Sequence, residues 1–128
     1  MVPVYHEQES IGATLTELRN RIQTQHTVLV VYDYAEDPTK AAVEALLGEH
    51  TNVTLVHNDL GKGVLNAIRK GFSVCDDGAV LVAMADLSDD LGQVDVMYRM
   101  IREGYDLVAG SRYSPGGAQH GGGLIKTT

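Results

Sequence analysis

The sequence contains one cysteine and no apolar run of the length that a membrane span requires. Cys75 has no partner for an internal disulfide, and its place after a helical pattern predicts a packed thiol. A membrane-spanning helix needs roughly 20 predominantly apolar residues, and no segment offers them. The N-terminus also lacks the basic start and apolar core of a signal peptide. We therefore expect no membrane span in this chain.

Positive charge is scarce as well, with 10 Lys and Arg residues against 17 Asp and Glu residues and a net charge of −7. This balance argues against a nucleic-acid or anionic-membrane surface. The 5 His residues show no metal-ligand spacing, so the sequence predicts no zinc site. The length of 128 residues suits one domain.

What the sequence does contain is a regular alternation of strand and helix patterns. Apolar runs predict strands at residues 2–5, 27–33, 52–58, 78–86 and 105–112. Apolar residues at steps of three and four predict helices at residues 9–25, 37–50, 62–75 and 91–104. This order favours an α/β fold with a mainly parallel sheet and helices on both faces. Residues 1–113 form the predicted domain, and residues 114–128 a predicted Gly-rich, flexible tail.

The helical patterns also predict where helices start and end and which residues they bury. Asp37 and Pro38 suit the N-cap and first position of the second helix, and Gly104 suits the end of the fourth. The predicted apolar faces are Ile11, Leu15, Leu18 and Ile22 in the first helix, Val64, Leu65, Ile68 and Phe72 in the third, and Val94, Met97 and Ile101 in the fourth.

Polar clusters follow all five predicted strands. In open α/β sheets, ligands bind beyond the carboxyl ends of the strands. Any one cluster alone is better explained as a solvated loop, but their shared placement on one rim favours a binding site. The clusters are Tyr5 to Glu7, Tyr32 and Asp33, Asn58 to Lys62, Asp86 to Asp90, and Ser111 to Tyr113.

The acidic turn after the fourth predicted strand is the most informative cluster. Asp86, Ser88 and Asp89 offer oxygen ligands of the kind that Mg²⁺ or Mn²⁺ shares with substrate phosphates. A metal and the forked guanidinium of Arg112 would together neutralise a diphosphate leaving group. The structural alternative is that Ser88, Asp89 or Asp90 caps the next helix, whose N-terminus favours negative charge.

Five motifs occur in the order in which one enzyme family carries them. They are Pro3-Val4-Tyr5-His6-Glu7, Tyr32-Asp33-Tyr34-Ala35, Gly61-Lys62-Gly63 with Asn66, Met84-Ala85-Asp86-Leu87-Ser88, and Gly110-Ser111-Arg112-Tyr113 with Gly116-Gly117. In these motifs the chain resembles the N-terminal, nucleotide-binding portion of a family 2 glycosyltransferase. That family has the Rossmann-like GT-A fold and includes dolichyl- and polyprenyl-phosphate sugar transferases.

The resemblance implies a role for each matched residue. Pro3, Tyr5 and Glu7 would border the nucleotide, and Asp33 would hydrogen-bond the base or its ribose surroundings. Lys62 would join this nucleotide-binding set. Asp86 would bind Mg²⁺ or Mn²⁺ and the diphosphate, with Ser88 and Asp89 as further metal ligands, and Arg112 would face the phosphates or the sugar. Asp86 and Arg112 are thus the catalytic residues that the resemblance implies.

The implied reaction transfers a sugar, with inversion, from a GDP- or UDP-linked donor to an acceptor such as a polyprenyl or dolichyl phosphate. The expected location is cytoplasmic, with a longer parent at the cytoplasmic face of a membrane. Family catalytic domains continue beyond the paired glycines, so we expect this chain to be a fragment. An exposed sheet edge or apolar face would let it pair with a second copy.

Two departures from the family pattern bear on these expectations. Met84 replaces the first Asp of the metal motif, and a thioether is a poor ligand for a hard cation. Tyr32 replaces an Asp, and Tyr34 and Ala35 replace a Gly-Ser pair, so the motif does not specify the nucleotide. A binding-only α/β domain without turnover is therefore an alternative. A receiver or flavodoxin-like module is a weaker one, because the acidic pair it needs after the first strand is missing.

Overall fold

The computed structural model describes residues 1–118, and the predicted flexible tail lies outside the described residues from position 119 onward. The described elements confirm the predicted α/β class. In chain order they are β1 (Val2–Val4), α1 (Ile11–Arg21), β2 (Val28–Tyr32), α2 (Pro38–Glu44), β3 (Val53–His57), α3 (Val64–Val74), a 3₁₀ turn (Leu91–Gln93) and α4 (Val94–Arg102).

The three strands form one parallel sheet in the order β1-β2-β3. Side chains alternate across it, so Val2 and Val30 point to one face and Pro3 and Val31 to the other. The first face packs on the fully buried residues of α1, including Leu15, in the main hydrophobic core. The second face is covered by α3. Helices therefore lie on both faces, as the alternating sequence pattern predicts.

Residues 78–86 do not form the predicted strand, although they run beside β1. The Met1 amine donates to the Leu81 carbonyl, and the Ala83 amide donates to the Met1 carbonyl at 3.0 Å. These two bonds pair Met1 with the segment around Val82 in the parallel sense. Ala83 and Ala85 are buried on the α1 side. The segment thus occupies the fourth-strand position, but its ladder is too short to count as a strand.

The predicted strand at residues 105–112 is absent. Leu107 is 84% exposed and Tyr105 is 56% exposed, so the segment buries little apolar surface. A fifth strand would need a continuous edge to pair with, and residues 78–86 do not provide one. Without that partner the segment forms no ladder.

The predicted buried faces hold for α1 and are wrong for α3. Ile11, Leu15, Leu18 and Ile22 are all buried. In α3 the buried residues are Ala67 and Gly71, whereas Leu65 and Phe72 are 66% and 53% exposed. Helix α3 lies close to the sheet through its small residues, since a side chain at Gly71 would meet Met1. Its larger apolar residues stay at the surface, and the expected pairing with a second copy stays a prediction.

Helix α4 also differs from the sequence prediction, because it has no buried residue. Its termination agrees, since Gly104 has a φ of 114° and the Tyr105 amide donates to the Met100 carbonyl. Within residues 1–118, no helix combines the length and apolarity that crossing a membrane requires.

Candidate functional site

A cavity of about 460 Å³ opens at the carboxyl end of β1. It lies where β1 separates β2 on one side from the segment around Ala83 on the other. Strand order reverses at this point, which is where open α/β sheets bind ligands. Five of its lining residues are the nucleotide-binding residues that the motifs predicted, namely Pro3, Tyr5, Glu7, Asp33 and Lys62. The remaining lining residues include Gly63, Val64, Ala67 and Met84.

The β1–α1 loop is fastened to the start of α2. The amide of His6 donates to Asp37 Oδ2 at 3.1 Å, and the amide of Glu7 donates to Thr39 Oγ1 at 2.8 Å. Asp37 also caps α2 by accepting from the Thr39 amide at 2.8 Å. Burial alone would raise the pKa of Asp37, but the hydrogen bonds from Thr39 and His6 outweigh it and lower that pKa. Asp37 and Thr39 thereby position Tyr5 and Glu7 at the cavity.

An aromatic cluster stands at the cavity rim. The rings of Tyr5 and His6 stack at 4.3 Å and 18°. His6 has a left-handed φ of 52°, and its Nε2 is hydrogen-bonded to the Tyr34 hydroxyl. Desolvation, followed by the negative charge of Asp37, raises the pKa of Tyr34, so this hydroxyl is protonated at neutral pH. Tyr5 remains 58% exposed and offers a ring surface beside the cavity.

The carboxylate of Asp33 holds the glycine-rich loop in place. Its Oδ1 accepts from Asn58 Nδ2 at 2.8 Å, and its Oδ2 accepts from the Gly63 amide at 2.9 Å. Buried Asn58 also donates to the Gly61 carbonyl at 2.7 Å and accepts from the Leu60 amide at 3.1 Å. The loop that carries Lys62 is thus tied to the end of β2. The contact of Asp33 with a base or ribose stays a prediction.

Lys62 lies beside the cavity and above an aromatic ring. Its Nζ is 5.4 Å from the centroid of the Tyr34 ring, which is within cation–π range. On the far side of the loop, Lys70 Nζ of α3 pairs with Asp59 at 2.9 Å. Lys62 is the one basic residue among the described residues that line the cavity.

The acidic turn is built of carboxylates that accept from backbone amides. Asp86 Oδ1 accepts from the Ser88 amide at 3.0 Å. Hydrogen bonding from the Ser88 side chain, and then from its amide, lowers the pKa of Asp86. Asp89 Oδ2 accepts from the Met84 amide at 2.8 Å. Asp90 caps the 3₁₀ turn by accepting from the Gly92 amide at 3.1 Å, which confirms the predicted capping role. Leu87 takes a left-handed φ of 62° to make the turn.

The predicted metal residues do not converge on this cavity. Asp89 lines a different groove, beside Glu17 of α1, and Met84 is the residue of this turn that reaches the cavity. Within residues 1–118, no three Asp, Glu, His or Cys side chains come together as a metal site. The donor set that is present, a thioether and carboxylates bound to amides, does not fit a resident Mg²⁺ or Mn²⁺ ion.

Arg112 is exposed and does not line the cavity. It follows Ser111, whose Oγ accepts from the Tyr113 amide at 3.2 Å. The paired glycines fold back onto this segment, since a side chain at Gly117 would come within 2.4 Å of the Ser111 carbonyl oxygen. The structure does not bring Arg112 to Lys62 or Asp33, so its role toward phosphate stays a prediction.

The motifs did not identify how the cavity is supported. Thr39 and Tyr34 act through contacts with segments about 30 residues away in sequence. Tyr34 had a signal, since it stands in the second motif just after β2, on the rim where ligands are expected. Thr39 lies inside α2 and had none.

Comparison with known proteins relates this architecture to a family. Residues 1–126 match the protein family described as Glycosyl transferase family 2. Over 91% of the chain, it is 34% identical to an undecaprenyl-phosphate mannosyltransferase of Micrococcus luteus, covering 49% of that protein. It is 26% and 28% identical to dolichol-phosphate mannosyltransferases of Pyrococcus furiosus and Saccharomyces cerevisiae, covering 33% and 45% of them.

The chain therefore spans a third to a half of the length of these relatives. The match to the family extends over nearly the whole chain. This chain belongs to glycosyl transferase family 2, a family of transferases, and its parallel sheet with helices on both faces is the Rossmann-like GT-A fold.

Proposed function

We propose that this chain is the donor-binding part of a glycosyltransferase that uses a nucleotide-diphosphate sugar and a polyprenyl-phosphate acceptor. The observation that carries the proposal is the cavity beyond β1, where five motif residues from three separate segments line one space. The names of the relatives favour mannose as the sugar and a lipid phosphate as the acceptor. A lipid acceptor also favours action at the cytoplasmic face of a membrane.

The cavity suits a nucleoside diphosphate in shape and chemistry. Tyr5 offers an exposed ring on which a base can stack, and the carboxylate of Glu7 can accept hydrogen bonds from ribose hydroxyls. Lys62 supplies a positive charge for the phosphates. Tyr5 and Lys62 reach the cavity from β1 and from the loop before α3, respectively.

The proposed reaction requires little acid–base help from the protein. An oxygen of the acceptor phosphate attacks the anomeric carbon from the side opposite the diphosphate. A new carbon–oxygen bond forms, the bond to the donor diphosphate breaks, and the nucleoside diphosphate leaves with that electron pair. Because the attacking oxygen is already ionised, no general base has to remove a proton. The protein contributes orientation and stabilisation of the leaving charge.

Calorimetric titration with GDP, UDP and ADP tests the donor-binding part of this proposal. We expect one of GDP or UDP to bind with one site per chain, and Tyr5→Ala to weaken it about tenfold, since base–aromatic stacking contributes about 1–3 kcal/mol. Tyr105→Ala, at a tyrosine after α4 that is 56% exposed and does not line the cavity, serves as the matched control and should bind like the wild type. Failure of a demonstrably folded chain to bind GDP or UDP would overturn the proposal.

A binding-only domain is the second candidate, favoured by Met84 in the cavity wall. The chain is incubated with labelled donor sugar and a polyprenyl phosphate in detergent. Transfer of the label to the lipid phosphate would show that the chain is an active transferase. Nucleotide binding without labelled lipid supports the binding-only function.

A further inference from the structure

We propose that this chain binds the diphosphate of its nucleotide without a divalent metal, and that Lys62, positioned by the ring of Tyr34, supplies the positive charge. The inference rests on the proposed function, because it concerns the phosphate end of the same cavity. It assigns Tyr34 as a positioning residue that acts through Lys62.

The first step of the argument is the state of the carboxylates. The side chain that reaches the cavity from the acidic turn is the thioether of Met84. Asp89 is turned toward the groove beside Glu17, and it holds the Met84 amide. Asp86 is exposed and holds the Ser88 amide. Asp90 is likewise exposed and holds the Gly92 amide. A hard cation would therefore find one uncommitted oxygen on each of three separate carboxylates, and none of the three lines the cavity.

The second step is the charge balance inside the cavity. Its titratable lining residues are Tyr5, Glu7, Asp33 and Lys62. Both oxygens of Asp33 accept hydrogen bonds, from Asn58 and from the Gly63 amide. Glu7 Oε2 accepts from Ser10 Oγ at 3.1 Å. A diphosphate in this cavity thus meets two carboxylates that already have partners and one ammonium group, so Lys62 is the group that can neutralise it.

The third step is what fixes the ammonium. Lys62 is flanked by Gly61 and Gly63, with φ values of 107° and 116°, and the loop is tied to Asp33. The ring of Tyr34 lies under Nζ at 5.4 Å, and the Tyr34 hydroxyl is anchored to His6. The ring therefore limits the freedom of a side chain that would otherwise spread over solvent, which reduces the ordering cost of binding phosphate.

The test is calorimetric titration of the full chain with GDP and UDP, in EDTA and again in excess Mg²⁺ or Mn²⁺. We expect the same affinity in EDTA as with metal. Lys62→Ala should weaken binding about 10- to 100-fold, the usual effect of losing a hydrogen bond to a charged group. Lys62→Arg should restore most of the affinity.

Lys40→Ala is the matched control for the change in net charge. Lys40 also lies over a tyrosine ring, 5.9 Å from the centroid of Tyr32, but on the face of the sheet away from the cavity. Its removal should leave nucleotide affinity unchanged. If Lys40→Ala weakens binding as much as Lys62→Ala does, the effect is one of general charge and the assignment of Lys62 is wrong.

Two substitutions of Tyr34 test its positioning role. Tyr34→Phe keeps the ring under Lys62 and removes the hydrogen bond to His6, so it should retain most of the affinity. Tyr34→Leu removes the ring and should weaken binding about two- to fivefold, the effect expected of an exposed cation–π contact. Equal affinities for the two variants would overturn the role of the ring.

The metal titration separates this inference from the proposed function. Binding that appears only with Mg²⁺ or Mn²⁺ overturns the metal-independent mode and leaves the donor-binding function standing. Failure of the folded chain to bind GDP or UDP under any condition overturns both. Circular dichroism of each variant establishes that loss of binding is not loss of folding.

Discussion

At the scale of single residues, Asn58 is the side chain on which the Lys62 loop depends. It is 3% exposed, and its amide group contacts Asp33, Gly61 and Leu60 at once. A buried amide with three partners is costly to remove, because each partner is left without its hydrogen bond.

We expect Asn58→Ala to lower the free energy of unfolding by about 2–3 kcal/mol, which corresponds to three hydrogen bonds at about 1 kcal/mol each. The measurement is urea denaturation followed by circular dichroism. Asn20→Ala, on the exposed side of α1, is the control and should change stability by less than about 0.5 kcal/mol. Equal effects of the two substitutions would show that the Asn58 contacts contribute nothing.

Sequence patterns identify residues of this cavity when they lie in a recognisable motif. Pro3, Tyr5, Glu7, Asp33 and Lys62 were predicted together, and they line one space. Asn58 was placed on the rim without a partner, because a hydrogen bond between side chains 25 residues apart leaves no periodic signal. The orientation of the carboxylates in the acidic turn could not be predicted either, because it depends on the left-handed backbone at Leu87.

At the scale of secondary structure, the start of α2 also holds the β1–α1 loop. Asp37 caps α2 and also accepts from the His6 amide of the β1–α1 loop. Two elements are therefore joined by one carboxylate, and the loop that carries Tyr5 and Glu7 depends on it.

Asp37→Ala should lower the free energy of unfolding by about 2 kcal/mol, about 1 for the cap and about 1 for the unpaired His6 amide. It should also weaken nucleotide binding, because Tyr5 and Glu7 lose their anchor. The measurements are urea denaturation and calorimetry. Asp90→Ala removes an exposed cap whose side chain contacts the Gly92 amide alone. It should therefore lower the free energy of unfolding by less than Asp37→Ala does and leave nucleotide affinity unchanged. A smaller loss of stability for Asp37→Ala than for Asp90→Ala would contradict this prediction.

Elements that carry their own periodic signal agree with their predictions. Strands β1 to β3 and helix α1 form where their patterns predicted them, and α1 buries the predicted residues. The segments at 78–86 and 105–112 were predicted as strands and are not. Whether an extended segment becomes a strand depends on a neighbouring edge, and its own residues do not specify that edge. The face of α3 was wrong because Ala67 and Gly71, rather than the larger residues, decide how closely the helix approaches the sheet.

At the scale of the whole molecule, acidic side chains tie separate parts together as hydrogen-bond acceptors. Asp95 of α4 accepts from the Gln23 and Thr24 amides at 2.9 Å and from Thr24 Oγ1 at 2.7 Å. These bonds from Gln23 and Thr24 lower the pKa of Asp95. The pKa values of Asp37 and Asp86 are lowered too, so folding favours the ionised form at all three sites.

A carboxyl whose pKa is lowered by folding stabilises the protein above its unfolded value, here 3.8, and loses that contribution as the pH falls through the folded value. We therefore expect a steady urea midpoint from neutral pH to about pH 5 and a decline below about pH 4. Asp95→Asn should be less stable at neutral pH and should lose less on acidification. If the urea midpoint rises as the pH falls, then protonation stabilises the protein by relieving repulsion among its carboxylates, and the prediction is wrong.

The pairing of Met1 with the segment around Ala83 has a consequence for synthesis. Strands β1, β2 and β3 lie side by side in the order in which the ribosome makes them, so each new strand finds its neighbour already present. The partner for the other edge of β1 is made some 80 residues after Met1. Until then the nascent chain carries an open strand edge and an unfinished cavity. Protection of the Ala83 amide from hydrogen exchange would therefore report the moment at which the cavity beyond β1 is complete.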